Sequence, residues 1–381
     1  MIIPFFNISG QTLILQCSLL TTDGNILTPI SQKKIFCKLE KKMMNRRSFT
    51  LRSLSFLPFW AATNPIPSLK PSVVKPHRLK RGDTVMLVTP GSFIGDESLQ
   101  KAIQNLENMG LQVQLSEHIR AKKGYTAGTV EQRVADLHQA FANPEIKAVW
   151  CARGGYGCAQ LLPHLDFDLI RKNPKILIGF SDITILLHAV TLKTGLTTFH
   201  GPVGSSEFSP YTKKWLQKTL FAPSDKLTMS ISEDKINGLD PYTIRPGKAQ
   251  GILYGGNLTL LASAVGTPWM PDFRGKLVFM EEIGEKPYRI DRMITQIQQG
   301  TNIHEAAGIV LGHFTDCEAD NGDLSLSLKQ TLYSAFEFFK KPIGYGYTWG
   351  HIDQMTTLPI GLQAAVDTHD FSLTLLESPV I

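Results

Sequence analysis

The sequence predicts an α/β protein with a parallel-sheet N-terminal domain, of flavodoxin- or Rossmann-like type, and a smaller C-terminal α/β domain. Three observations predict it. Short apolar runs of strand length alternate with helix-length periodic segments. Gly or Asn-Pro breaks separate the two kinds of segment. The alternation lapses between Ser205 and Lys248 and then resumes. The composition permits two such domains: 381 residues, 43% hydrophobic and 19% charged, are enough to bury ordinary globular cores.

Residues 1–42 show no convincing periodicity and read as an unstructured upstream extension, with Met43 or Met44 as the working start. Residues 43–79 read as an export signal and linker. Arg46-Arg47 before Ser48-Phe49 resembles a twin-arginine signal, followed by an apolar run from Leu54 to Trp60 and a cleavage region at Ala61-Ala62. A plain basic tail is the alternative. Residues 63–80 are rich in Pro, Ser and Lys and read as a linker.

The N-terminal domain spans 80–205. Thr84 to Thr89 is a buried-type strand, Asp96 to Met109 a helix stopped by Gly110, and Gln112 to Ser116 a strand. Strand, helix, strand is a right-handed crossover of a parallel sheet. Thr129 opens a helix that ends at Asn143-Pro144. Ile146 to Ala152 is the next strand; it runs into Arg153-Gly154-Gly155-Tyr156-Gly157 and a short helix from Cys158 to Leu165. Ile176 to Ile178 forms a strand, Gly179 breaks it, and a helix pattern follows to Gly195; Thr197 to Phe199 is a last strand. Residues 206–247 read as an inter-domain connection. The C-terminal domain, 248–381, holds the Gly-rich segment GILYGG, strands at Lys276 to Met280 and Gly308 to Leu311, and helices at Tyr288 to Gln299 and Ser325 to Phe339.

Composition excludes several functions. The net charge is +6, but much of the excess lies before residue 82. A basic tail is more often a solvated or targeting segment than a nucleic-acid surface, and the aromatic-basic interleaving of single-strand binders is missing from the sequence. Five cysteines in this spacing indicate neither a disulfide framework nor a zinc site. No stretch reaches the roughly 18 apolar residues of a membrane span.

Four features carry candidate chemistry. Ser181 falls at the turn between a strand and a helix. That is the position of a nucleophile elbow, and equally of a helix N-cap filled by Ser181 or Asp182. The RGGYG loop at 153–157 ends the neighbouring strand, and its glycines let backbone N–H groups face an oxyanion or simply make a tight turn. Glu281-Glu282 ends a buried strand, where alternation lets only one of the two face inward. His351 follows Gly350 in an aromatic loop, as a general base or a loop cap. His200 is the one other histidine in a comparable setting, at a strand end beside Gly201. Ser, Glu and His in that order permit a triad without requiring one.

Taken in order, VTPGS (88–92), RGGYG (153–157), LLPHLD (161–166), NPKILIGFSDIT (173–184), TFHGPV (198–203), GILYGGNLTLL (251–261), LVFMEEIGEKPYRIDRM (277–293), and GH with LPIG (358–361) resemble the LD-carboxypeptidases. These are serine peptidases also called muramoyltetrapeptide carboxypeptidases. The resemblance covers about Gly82 to Gly361 and implies an active site between the two domains. It implies a triad of Ser181, Glu281 and His351, with an oxyanion hole from the N–H groups of Asp182 and of Gly154 or Gly155. It also implies a homodimer, no cofactor and no metal. The expected substrate is a muropeptide whose terminal D-Ala is released. Arg153 is the candidate for the substrate carboxylate. The same family includes immunity peptidases that cleave microcin C-type peptidyl-nucleotides, for which Trp349 would be the aromatic platform. A non-catalytic muropeptide-binding protein is a third reading. Glu281-Glu282 departs from the family's usual Glu-Asp. The family usually acts in the cytoplasm, so a used twin-arginine signal would instead place this chain in the periplasm or envelope.

Overall fold

The computed structural model describes residues 72–231 and 240–381. The upstream extension and the twin-arginine segment lie outside the described residues. The first part alternates as β1 (Thr84–Val88), α1 (Asp96–Glu107), β2 (Gln112–Leu115), α2 (Val130–Ala142), β3 (Ile146–Cys151), α3 (Phe167–Lys172), β4 (Ile176–Gly179), α4 (Thr184–Thr194) and β5 (Thr198–His200). Then come α5 (Pro210–Leu216), β6 (Leu227–Ser230), β7 (Tyr242–Arg245), β8 (Lys248–Asn257), α6 (Leu258–Ala264), β9 (Lys276–Ile283) and α7 (Pro287–Gly300). The chain closes with β10 (Gly308–Thr315), α8 (Leu328–Ala335), β11 (Ile343–Tyr345), β12 (Leu358–Ile360), β13 (Gln363–Asp367) and β14 (Ser372–Leu375).

Two sheets result. The first has the order β2-β1-β3-β4-β5-β12. Its first five strands are parallel, and β12 adds antiparallel to β5. The second has the order β6-β14-β13-β8-β9-β10-β11-β7, with a parallel centre from β8 to β11 and antiparallel flanks. The C-terminal part is therefore not the smaller one, because its sheet has eight strands. The four antiparallel strands beyond β8 and β11 are short and only partly apolar, so they carry weak sequence patterns.

Local sequence explains the elements that matter for the site. Thr129 and Gln132 form a reciprocal capping box at α2, satisfying two orphan donors. Helix α4 is buried continuously from Thr184 to Thr191. A helix apolar on all sides belongs inside a protein, and α4 packs on α6, β8 and β12 as well as on its own sheet. Gly195, at φ 77°, closes it with a left-handed cap.

Two glycines let β8 fit tightly between this helix and β9. A Cβ on Gly256 would stand 2.5 Å from Thr184 Cγ2, and one on Gly255 would stand 1.8 Å from the Phe279 carbonyl. The His188 Nε2–H donates to the Gly255 carbonyl at 2.7 Å. The Asn257 N–H donates to Thr184 Oγ1 at 3.1 Å.

Three further expectations are corrected. The stretch 206–247 is not featureless, since it holds α5, β6 and β7. Residues 74–79 are not a free linker: Val74 pairs with Leu196, Leu79 N–H donates to the Leu220 carbonyl, and Arg78 N–H donates to the Ile381 carbonyl. An extended Pro-containing chain can satisfy its backbone this way at a sheet edge. The short helix at 158–165 is two 3-10 turns.

Gly255→Ala should lower stability by about 3 kcal/mol or more, because backbone rather than a movable side chain blocks the new carbon. Gly124→Ala, where the same carbon meets nothing within 4 Å, should cost about 1 kcal/mol through its positive φ. Urea unfolding of the two variants measures the difference.

Candidate functional site

Ser181 sits at φ 63°, a left-handed conformation uncommon for a residue with a side chain. Phe180 before it is extended, and Ser181–Ile183 makes one 3-10 turn into α4. The packing makes this turn tight. A Cβ on Gly179 would lie 2.9 Å from Ile183 and 3.1 Å from Cys151. Of the two openings left by the sequence, the cap is not the one used. No side chain caps this turn, and the Asp182 carboxylate instead accepts the Cys158 N–H at 2.9 Å.

The RGGYG loop lies directly against this turn. A Cβ on Gly154 would stand 3.1 Å from Ser181 Cβ and 3.4 Å from its Oγ. Gly155 and Gly157 hold φ of 102° and 121°, which excludes most side chains. The Gly154 and Gly155 N–H groups donate to no carbonyl among the described residues. Three groups brace the loop from behind. Ser92 N–H donates to the Gly154 carbonyl at 3.1 Å, and Tyr156 N–H donates to Ser92 Oγ at 3.0 Å. The buried Arg133 guanidinium donates to the Pro90 and Gly157 carbonyls and to Gln160 Oε1. Sequence reasoning missed Arg133 and Ser92. An arginine at a helical position gives no signal of an inward role, since such residues are mostly exposed.

Glu281 and Glu282 point to opposite faces of β9, as alternation requires, yet both are buried, at 0% and 2% exposure. The expectation that only one faces inward fails because helices and loops cover both faces of this sheet. Glu282 serves the start of α6: its carboxylate accepts from Asn257 Nδ2, from Thr259 N–H and Oγ1, and from Ile283 N–H. Burial raises its pKa, and those donors oppose the rise. Glu281 takes the other face. His351 Nδ1–H donates to its Oε2 at 2.8 Å. Gly350, at φ 124°, makes this approach possible, because a Cβ there would stand 3.1 Å from Glu281 Cβ and 2.9 Å from the His313 carbonyl. Thr315 Oγ1 donates to the His351 carbonyl at 3.0 Å and fixes the loop.

The Phe180 ring lies 4.7 Å from the His351 ring, so the imidazole stands beside the residue that precedes Ser181. No hydrogen bond joins Ser181 to His351 among the described residues. Catalytic contacts in ligand-free sites are often long and tighten with substrate. The parts present can support acyl chemistry: a hydroxyl on a strained turn, an imidazole held by a buried carboxylate, and glycine amides beside the hydroxyl. Arg153 is exposed, and its Nη1 donates to the Phe93 carbonyl at 3.0 Å. Trp349 is 1% exposed and stacks on Tyr347 at 4.8 Å. It offers no open face, and its expected role as a platform is withdrawn. A separate cavity of about 570 Å³ lies where α7 begins, lined by Lys286, Tyr288, Asp291, Leu324 and Leu326; it includes none of the three expected triad residues.

Family models described as the LD-carboxypeptidase N-terminal and C-terminal domains match residues 85–201 and 250–366. The chain belongs to the LD-carboxypeptidase family. It is 42% identical over 300 residues to a Bacillus subtilis protein named "Probable murein peptide carboxypeptidase", spanning 77% of this chain and 92% of that one. Among solved structures, it resembles the muramoyltetrapeptide carboxypeptidase of Oxalobacter formigenes with TM-score 0.67 and 30% identity, over 77% of this chain and 97% of that one. It also resembles an MccF-like protein of Bacillus anthracis with TM-score 0.70 and 30% identity, over 80% of this chain and 100% of that one.

Burial holds two histidines, His188 and His200, near a pKa of about 4, against 6.5 ordinarily. The unfolded chain protonates both as pH falls through 6.5, whereas the folded chain does not until about 4. Stability should therefore fall as pH drops across that window. Urea unfolding at pH 7 and pH 5 should show it, and His188→Asn, which cannot titrate, should flatten the slope. Equal stability of the parent at both values would contradict this assignment.

Proposed function

We propose that this chain is a serine carboxypeptidase that hydrolyses an L,D amide and releases the terminal D-Ala of a murein tetrapeptide. The observation that carries the reading is the 2.8 Å Glu281–His351 bond, set beside the strained turn that presents Ser181. His351 Nε2 accepts the Ser181 proton as Oγ attacks the carbonyl. The N–H groups of Asp182 and of Gly154 or Gly155 hold the oxyanion, each typically worth about 3 kcal/mol. Glu281 keeps Nδ1 protonated and stabilises the imidazolium. His351 then gives its proton to the leaving D-Ala, and water resolves the acyl-enzyme. Arg153 meets the substrate's free carboxylate; its exposure and its lack of an acidic partner among the described residues support that role.

The names of the relatives supply the substrate class, and the motifs supply the triad. The proposal also includes a homodimer, which rests on the family resemblance, and export through the Arg46-Arg47 segment, which rests on sequence alone. The peptidyl-nucleotide reading loses its support from Trp349, which is buried. The non-catalytic reading conflicts with the intact Ser181, Glu281 and His351.

Ser181→Ala should fold normally and lose at least about 10³-fold in kcat for D-Ala release from tetrapeptide. Glu281→Gln should lose on the order of 10²-fold or more. Mass spectrometry of defined muropeptides measures both. Near-parental release by Ser181→Ala would remove the proposed nucleophile, and turnover of an aminoacyl-sulfamoyl adenylate without tetrapeptide turnover would transfer the chain to the other substrate class.

A further inference from the structure

His200 ends β5 and is 0% exposed. Neither of its ring nitrogens has a hydrogen-bond partner among the described residues, and the same holds for Glu281 Oε1. Buried polar atoms are rarely left this way, and enclosed water is the usual partner.

Packing links the residues that carry these orphans. The His200 ring stands edge-on to Phe279 at 5.1 Å and to Phe180 at 6.0 Å. Phe279 and Glu281 are two residues apart on β9, so their side chains share one face of the strand. Glu281 binds His351, and His351 returns to Phe180. Three ring contacts, one hydrogen bond and one shared strand face therefore link His200, Phe279, Glu281, His351 and Phe180 back to His200. The Glu281 carboxylate is a member of this circuit, with one oxygen committed to His351 and the other without a partner among the described residues. Trp349, which lies against Phe279, and Thr357, which lies against Gly201, the neighbour of His200 in the chain, add polar atoms without a partner among the described residues.

We propose that His200 is a positioning residue for this site, delivering a ring N–H through one enclosed water to Glu281 Oε1 and so fixing the carboxylate that orients His351. The inference rests on the proposed triad. The titratable groups that face His200 are Glu281, His351 and His188. Burial keeps His200 neutral at working pH, against the pull of Glu281 and with the help of the two other histidines. A neutral imidazole carries one donor and one acceptor. It can thus relay a hydrogen bond without placing a second positive charge beside His351, which a lysine there would do.

The test compares His200→Phe, which keeps a ring and removes the donor, with His200→Gln, which keeps a donor. In His200→Phe, kcat on tetrapeptide should fall about tenfold or more, from the loss of a hydrogen bond to a charged group, while KM stays within about twofold. Its thermal midpoint should not fall in step, because the phenyl ring keeps the packing against Phe279 and Phe180. With Oε1 left bare, the Glu281 charge holds the imidazolium more strongly, so the acid limb of the kcat/KM profile should move up by about half to one pH unit. His200→Gln should recover much of kcat and restore the limb. A folded His200→Phe protein with parental kcat and an unmoved acid limb overturns the proposal. Loss of stability and activity together, with the limb unmoved, leaves His200 a packing residue only and also overturns it. Nitrogen-15 histidine spectra of the parent protein provide the arm that needs no variant. They should show a neutral His200 with a slowly exchanging ring proton down to about pH 5, and an ordinary titration near 6.5 would refute it. Loss of the triad itself would read differently, since Ser181→Ala would then be active whatever His200 does.

Discussion

Helix α4 has to be buried on every face, and the rest of the molecule is arranged around that requirement. Its own sheet covers one side. The other sides need β8 and α6, both from later in the chain. The later part of the chain must therefore close over the first sheet rather than sit apart from it, and β12 goes further by adding to that sheet's edge. Gly256 lets the backbone of β8 reach the helix while Gly255 lets it lie close to β9, and the Thr184 and His188 hydrogen bonds fix its height. Because Ser181 starts the turn into α4 and Glu281 lies on β9, next to β8, the same packing decides where these side chains lie relative to each other.

The two adjacent carboxylates show how one strand can serve two purposes. Glu282 faces α6 and is surrounded by donors, so burial costs it little beyond a raised pKa. Glu281 has one donor, His351, and an oxygen with no protein partner among the described residues. A carboxylate so poorly satisfied is costly in a purely structural role. It is what a site would keep if the charge were needed to hold an imidazole in one tautomer and to stabilise its protonated form. Strain follows the same distribution. The positive φ of Ser181 coincides with a turn packed closely between Gly179, Ile183 and the Gly154 loop, as expected where surrounding structure over-determines an unfavourable conformation.

Much of this was legible in the residues. The strand–helix alternation of the first part, the break at Gly179 and the Gly-rich loop each depend on short-range signals, which periodicity and glycine placement report well. Ser181, Glu281, His351 and the two loop glycines could be singled out because they fall at strand ends and turns and within the ordered run of motifs. What escaped depends on long-range packing. Arg133 looks like any helical arginine until its loop partners are known. Trp349 reads as an exposed aromatic beside a histidine, but the fold stacks it on Tyr347 and sets it edge-on to Phe279. The burial of both Glu281 and Glu282 could not be read from alternation, which orients side chains but does not say that both faces are covered. The antiparallel strands β6, β7, β13 and β14 lack strong apolar runs and take their order from pairing partners far along the chain.

The central claim is that the strained turn at Ser181 presents a hydroxyl activated by the His351–Glu281 pair. Labelling the protein with a fluorophosphonate probe and mapping the adduct by peptide mass spectrometry tests it most directly. The account predicts one adduct, on Ser181, whose rate of formation falls by at least about 10²-fold when His351 is replaced by Ala. An enzyme that turns over tetrapeptide while Ser181 stays unlabelled, or that labels equally fast without His351, would contradict it.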